Sequence, residues 1–279
     1  MEEIKQKYLK FIYDQDNKYK KLVDKVLESK HNKQLEHMNI YEALDFFIID
    51  EPWHKQRYLG TFNYIKEKLN SNKELEVLDV GYPSNFGLLL LYYFPKINLS
   101  FTDYDIRVYN HEVNKNEYDI ILMFEVIEHL RDNSLPDKHH VGLDGNIIQI
   151  NNEFDLIEYN AVFHGTGIIN SLMNFRNQLK DDGILYISTP NVNSFTVIYN
   201  ILNKDYPYNW GPHPRELSKK CLIKYLDQVK LQIIDYKFFN SWNMTTEDFN
   251  NKISNIIEKL GYESNEREDN MIYTIVKNK

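Results

Sequence analysis

The stretch YDIILMFEVIEHL, residues 118 to 130, runs a series of apolar residues directly into Glu125, Glu128 and His129. Read as a strand over 118 to 124 followed by a helix over 125 to 131, it places these three side chains at i, i+3 and i+4. They then share one helix face at the strand's carboxyl end. Two carboxylates and an imidazole can hold a divalent cation, with water or a substrate oxygen completing the shell. The same residues also suit a solvated helix start without metal, since glutamates are favoured at the positive end of the helix dipole. A second stretch, VLDVGYPSNFGLLLLYYF at 77 to 94, sets Gly81 after an apolar run. There the backbone can turn sharply and the amides of the following helix can meet a carboxylate or phosphate. Asp79 can accept a hydrogen bond from an ammonium group. Asp103, near the end of the next strand, stands where an acidic side chain typically binds ribose hydroxyls. One glycine and two aspartates fit a plain turn equally well.

The elements that must position these residues alternate between strand and helix. Strands are predicted at 75–80, 98–104, 118–124, 183–189, 231–239 and 271–278, and helices at about 86–93, 125–131, 167–180, 217–229 and 246–260. This order predicts an α/β fold with a mostly parallel sheet covered on both faces. Ahead of it, residues 1–72 read as a helical extension, with Leu9, Phe11, Ile12, Leu22, Val23 and Val26 at helical spacing and Pro52 opening a further helix. The polar SNKE at 71–74 marks the boundary with a domain over 73–279. Two irregularities stand out. Only 13 residues separate Tyr104 from Tyr118, too few for the helix and further strand usual in a doubly wound sheet. Residues 132–165 form a long insertion whose middle suits a hairpin.

Composition narrows the partners. Thirty-three basic against 41 acidic residues give a net charge of −8, which disfavours nucleic acid and fits a small-molecule or neutral substrate. The single cysteine, Cys221, excludes an internal disulfide and a cysteine-based zinc site. The longest apolar run, GLLLLYYF, is far short of a membrane span, and the start MEEIKQKYLKF lacks signal-peptide form, so a cytoplasmic location is expected.

In order along the chain, VLDVG, FTDYD, YDIILMFEVIEHL and LKDDGILYISTPN together resemble the motifs of class I methyltransferases that use S-adenosylmethionine. LKDDG is similar to that family's LKPGG turn, and NILNKDYPYNWGPHPREL is similar to a segment of methyltransferases found with bacterial surface-glycan genes. The resemblance covers roughly residues 75 to 278. It implies a Rossmann-like sheet with an antiparallel last strand and S-adenosylmethionine as cofactor. Carried over by position, Asp79, Gly81, Asn85, Asp103 and Phe124 would line the cofactor site. EVIEH followed by a later histidine resembles the metal-dependent O-methyltransferases of small-RNA 3′ ends and of ubiquinone synthesis. That likeness implies Glu125, Glu128, His129 and His213 as ligands of Mg²⁺ or Mn²⁺, or His129 and His213 as the catalytic bases without metal. The expected activity is O-methylation of a sugar or glycan precursor. A 2′-O-methyltransferase of RNA 3′-terminal ribose and a catalytically silent binding domain are the alternatives. The chain departs from the family in two places. Where GxGxG is usual it has Gly81, Pro83 and Asn85, with Asn85 the residue best able to take left-handed backbone angles in the last glycine's place. It also lacks the segment after Asp105 that closes over adenine. His139, His140 and His164 in the insertion, the Tyr206, Pro207, Tyr208 and Trp210 cluster, and Arg215 are weaker candidates that suit surface or packing roles as well.

Overall fold

A computed structural model of the chain describes residues 2–15, 17–31, 37–48, 52–69, 73–109, 113–130, 139–141, 147–149, 166–210, 213 and 215–278. Four helices come first: α1 (Glu2–Gln15), α2 (Asn17–His31), α3 (Ile40–Phe47) and α4 (Lys55–Leu69), the last entered through a 3₁₀ turn at Pro52–His54. Asn39 opens α3 with a capping box, its side chain accepting from the amides of Tyr41 and Glu42 while Glu42 reaches back to the Asn39 amide. A six-stranded sheet follows, built from β1 (Leu75–Asp79), β2 (Ile97–Phe101), β3 (Tyr118–Phe124), β6 (Leu179–Pro190), β7 (Leu231–Phe239) and β8 (Asn270–Lys277) in the order β2-β1-β3-β6-β8-β7. β1, β2, β3 and β6 pair in parallel, whereas β8 runs antiparallel to both β6 and β7. The mostly parallel sheet with an antiparallel last strand is therefore present. Helices α5 (Asn85–Tyr93), α6 (Thr166–Gln178), α7 (Phe195–Leu202), α8 (Lys219–Gln228) and α9 (Glu247–Lys259) connect the strands.

Successive residues of β3 point to opposite faces, as a strand requires. Ile120 and Leu122 join a core with α5 and with Tyr8, Leu9, Ile12, Leu22, Val23 and Val26 of the first two helices. Ile121 and Met123 join a second core with Leu172 and Phe175 of α6 and Leu222 and Leu226 of α8. Residues 102–109 and 113–117 hold no helix or strand, so β2 is an edge strand, and α1 packs on it. The LKDDG stretch, expected as a turn, instead begins β6, with an irregularity in the pairing between Tyr118 and Ile120 of β3. Of the insertion, His139–Val141 and Ile147–Gln149 pair antiparallel as β4 and β5. His164, Gly211, Pro212, Pro214 and the first half of SNKE lie outside the described residues. Among the described residues, no helix is long and apolar enough to cross a membrane.

The helix expected over 125–131 does not form. The Glu125 amide still donates to the Ser188 carbonyl at 3.0 Å, continuing the strand ladder, and its backbone then turns to φ +54°. Only a 3₁₀ turn at Ile127–His129 follows, and Leu130 is extended again. A left-handed conformation costs a non-glycine residue roughly 1–2 kcal/mol. At Glu125 the carboxylate's own contacts hold it in place, as described below.

Candidate functional site

The site lies at the carboxyl ends of β1, β3 and β6, where ligands of open α/β sheets are received. After β1, Gly81 takes φ +110°, which only glycine adopts readily, and its amide donates to Thr102 Oγ1 at 2.8 Å. Ser84 caps α5, its Oγ accepting from the Gly87 amide at 3.0 Å. Asn85 is the first residue of α5 and is absent from the residues with positive φ. The left-handed capacity expected to let Asn85 replace a glycine is thus unused, because the loop has already become helix at that point.

A second glycine, Gly87 in the first turn of α5, is required by packing rather than by backbone angle. A methyl group there would overlap the Tyr8 hydroxyl and stand 2.8 Å from Tyr8 Cζ and 3.0 Å from Asp79 Oδ2. Tyr8, wholly buried, comes from α1: its hydroxyl donates to Asp79 Oδ2 at 2.7 Å and accepts from the Ser84 amide at 3.0 Å. The Ser84 hydroxyl also donates to Asp79 Oδ2, at 3.2 Å. Burial pushes the Asp79 carboxyl up to about 6, against the opposing pull of these two donors. One residue earlier in α1, Lys7 pairs with Asp103 Oδ2 at 2.9 Å, and Phe11 stacks on Tyr82 with ring centroids 5.9 Å apart. Both aspartates assigned to the cofactor are therefore engaged by the chain's own first helix.

Two cavities lie at these strand ends, and the smaller one adjoins the loop. The smaller, about 240 Å³, is lined by Asp79, Gly81, Ser84, Phe86, Phe124 and Ser188, among others. It falls below the roughly 300–1,000 Å³ of typical ligand pockets. The larger, about 460 Å³, has Glu128, His129 and His213 in its wall with Trp53, Trp210 and Trp242. Arg57 and Glu125 line both. Glu125 Oε1 accepts from Ser188 Oγ at 2.8 Å and Asn270 Nδ2 at 3.0 Å, and its Oε2 lies 3.4 Å from Arg57 Nη1. These contacts explain how its strained backbone is held. They also set its carboxylate outside the group of three side chains that converge with ligand-capable atoms.

That group is Glu128, His129 and His213, one ligand atom from each lying within 4.8 Å of the others. The sharp turn at Glu125, rather than a shared helix face, brings Glu128 and His129 to His213; the two imidazole centroids are 4.8 Å apart. Glu128 is fully buried, with Oε2 accepting from Thr189 Oγ1 at 3.0 Å and Oε1 left without a hydrogen-bond partner. Burial, and then the nearby Glu125, hold its carboxyl well above the ordinary range. His129, half-buried, is lowered by burial and by His213. A buried carboxylate oxygen lacking a donor, next to two imidazoles, is a donor set that fits a divalent cation.

Sequence reasoning named no residue of the helical extension for the site, yet several line it. EPWHKQRYL sends Trp53, His54 and Arg57 into the larger cavity. His54 is lowered to about 4 by burial and by Arg57, so it is neutral, and its Nδ1 accepts from Trp242 Nε1 at 3.3 Å. Trp, His and Arg within five residues at a helix start was the one available signal. Of the weaker candidates, Trp210 lines the cavity, and Tyr206 is exposed outside it.

No protein-family model matches the sequence, and no curated protein matches it. Solved structures resemble the fold remotely. A SAM-dependent methyltransferase from Archaeoglobus fulgidus superposes with a TM-score of 0.49 at 15% identity, over 84% of this chain and 99% of that one. An S-adenosylmethionine-dependent methyltransferase from Clostridium acetobutylicum gives 0.41 at 12%, over 81% and 92%. The cyclase SpnF gives 0.41 at 10%, over 80% and 81%. These likenesses are ones of architecture, and no activity follows from them.

Proposed function

We propose that this chain is an S-adenosylmethionine-dependent O-methyltransferase acting on a sugar or glycan precursor, assisted by a divalent cation. The observation that carries the reading is the pair of adjoining cavities at the strand ends, one on the Asp79–Gly81 loop and one on the Glu128, His129 and His213 cluster, with Arg57 and Glu125 shared between them. This is the arrangement that a donor and an acceptor exchanging a small group require.

Among the described residues Arg57 is the one cation in the smaller cavity's lining, 3.4 Å from Glu125 and in the same lining as the carboxylate of Asp79. One guanidinium and two carboxylates complement a zwitterionic amino acid, the form of the cofactor's methionine end. The Lys7–Asp103 pair, with both side chains 62% exposed, opposes ribose binding only weakly. In the larger cavity the tryptophans offer flat apolar faces to a sugar ring, while His129 or His213 can accept a hydroxyl proton. Glu128, His129 and His213 would hold the cation, which when bound lowers the pKa of an adjacent hydroxyl. S-adenosylmethionine, when bound, supplies the electrophilic methyl group.

Calorimetric titration with S-adenosylmethionine and its demethylated product, with and without Mg²⁺ or Mn²⁺, tests the reading. Heat of binding is expected, and its absence under every condition sinks the enzyme. Glu128→Ala should abolish turnover and spare cofactor affinity; equal loss of both would argue against the metal assignment. A catalytically silent binding domain is the second reading, favoured by the engagement of Asp79 and Asp103 with α1.

A further inference from the structure

Glu216 lies three residues after His213, and its side chain is completely buried. Its Oε2 accepts from the Asn209 amide at 2.9 Å and from Asn209 Nδ2 at 2.7 Å. Its Oε1 accepts from the Trp210 amide at 3.1 Å and stands 2.7 Å from His213 Nδ1. Asn209 is pinned in turn: its Nδ2 also donates to the Asn191 carbonyl at 2.9 Å, and its Oδ1 accepts from the Ser194 hydroxyl at 2.8 Å. The carboxylate is thus fixed by a network running from the end of β6 to the cap of α7.

We propose that Glu216 is a positioning residue that holds His213 with its proton on Nδ1, so that Nε2 is left as the lone-pair nitrogen for the Glu128 and His129 cluster. The inference rests on the reading of His213 as a ligand or proton acceptor. The tautomer follows from donor counting. Three of the four groups on Glu216 are amide N–H donors, which cannot accept, so the carboxylate is committed as an acceptor at both oxygens. At 2.7 Å the fourth group must donate as well; a bare Nδ1 would set a lone pair against a carboxylate oxygen. A carboxylate behind a histidine fixes its tautomer and its ring plane, and removing such a partner commonly weakens metal affinity 10–100-fold. Neither glutamate nor histidine in GPHPREL reveals this alone; the pairing depends on Asn209 and Trp210 turning their amides inward.

The test uses the full chain labelled with ¹⁵N-histidine, whose two ring nitrogens report the tautomer directly. The chain has nine histidines, and loss of a resonance in His213→Asn assigns the one needed. The expected result is the Nδ1–H form in the wild type. Glu216→Gln, which can donate toward Nδ1, should shift His213 to the Nε2–H form. With Mn²⁺ alone as probe, followed by its electron paramagnetic resonance, affinity should fall about 10–100-fold. An Nε2–H tautomer in the wild type overturns the proposal. So does a Glu216→Gln variant whose tautomer, or whose Mn²⁺ affinity against a wild type that binds it, is unchanged. If Glu216→Gln does not fold, the wild-type tautomer still decides. A wild type in the Nδ1–H form that binds no Mn²⁺ upholds the orienting role of Glu216 and overturns the metal in the proposed function.

Discussion

Replacing Gly87 with alanine probes the contact between the first helix and the loop. The added methyl would overlap the Tyr8 hydroxyl and approach its Cζ to 2.8 Å. Tyr8 is wholly buried between α1, α5 and Phe101, so it has no free space to turn into, and the hydroxyl must leave. Asp79 then loses one donor and the Ser84 amide loses its acceptor. A hydrogen bond to a charged group contributes about 1.5–3 kcal/mol and a neutral one about 1 kcal/mol. Exposing the ring adds about 1.5–3 kcal/mol. Alanine gains back up to about 1 kcal/mol of helix propensity. The net expectation is a loss of about 3–6 kcal/mol in urea unfolding, with early hydrogen exchange in α1. In a Tyr8→Ala background the obstruction is gone, and Gly87→Ala should be neutral or slightly stabilising. The two changes should therefore couple by at least about 2 kcal/mol; additivity to within about 0.5 kcal/mol would refute the packing argument.

Further predictions concern charge. Asp79 is raised from its ordinary 3.8 to about 6, so its contribution to stability is greatest below pH 4 and is lost as pH rises through 6. The stability of the wild type relative to Asp79→Asn should fall by about 2 kcal/mol between pH 4 and pH 7; a pH-independent difference in urea titrations would contradict the buried carboxylate. Arg57→Ala strips the largely buried Glu125 carboxylate of its guanidinium and should lower stability by about 3 kcal/mol and cofactor affinity about tenfold or more. Undiminished calorimetric affinity would remove Arg57 from the cofactor site. Lys7→Ala should cost less than about 1 kcal/mol, and less still in high salt, since its pair with Asp103 is exposed; a larger loss would mean that this pair holds α1 down.

The strands and most helices were legible because their apolar runs are long and their periods distinct. β3 and β7 begin and end at the expected residues, and α5, α6, α8 and α9 lie within about two residues of expectation. EVIEH misled because its glutamates and histidine fit a helix face, whereas a backbone hydrogen bond to Ser188 and a positive φ decide the local path. Neither is encoded in spacing. The grouping of Glu128, His129 and His213 was nonetheless implied by the likeness of EVIEH and a later histidine to metal-dependent O-methyltransferases, whereas residue type and spacing alone offered only Glu125, Glu128 and His129. Which residues of the extension take part was not legible, because Tyr8, Trp53 and Arg57 meet the site only across sequence separations that no local pattern reports.

The missing glycines and the added helices are best understood together. A GxGxG loop stays thin so that a ligand can approach its backbone closely, and a side chain at those positions would obstruct it. Here Gly81 is kept, a further glycine stands at position 87 in the first turn of α5, and what comes close there is Tyr8 of the same chain. Its hydroxyl takes the Ser84 amide and the Asp79 oxygen, the kinds of group a nucleotide loop offers to its ligand. The loop is therefore closed from the α1 side and remains open toward Arg57, Phe124 and Glu125, where the smaller cavity lies. A cofactor entering there would meet the extension through Arg57 and Tyr58 before it met Asp103. Its amino-acid end would be held more closely than its ribose, which makes the demethylated amino-acid moiety, rather than adenosine, the fragment expected to bind measurably alone.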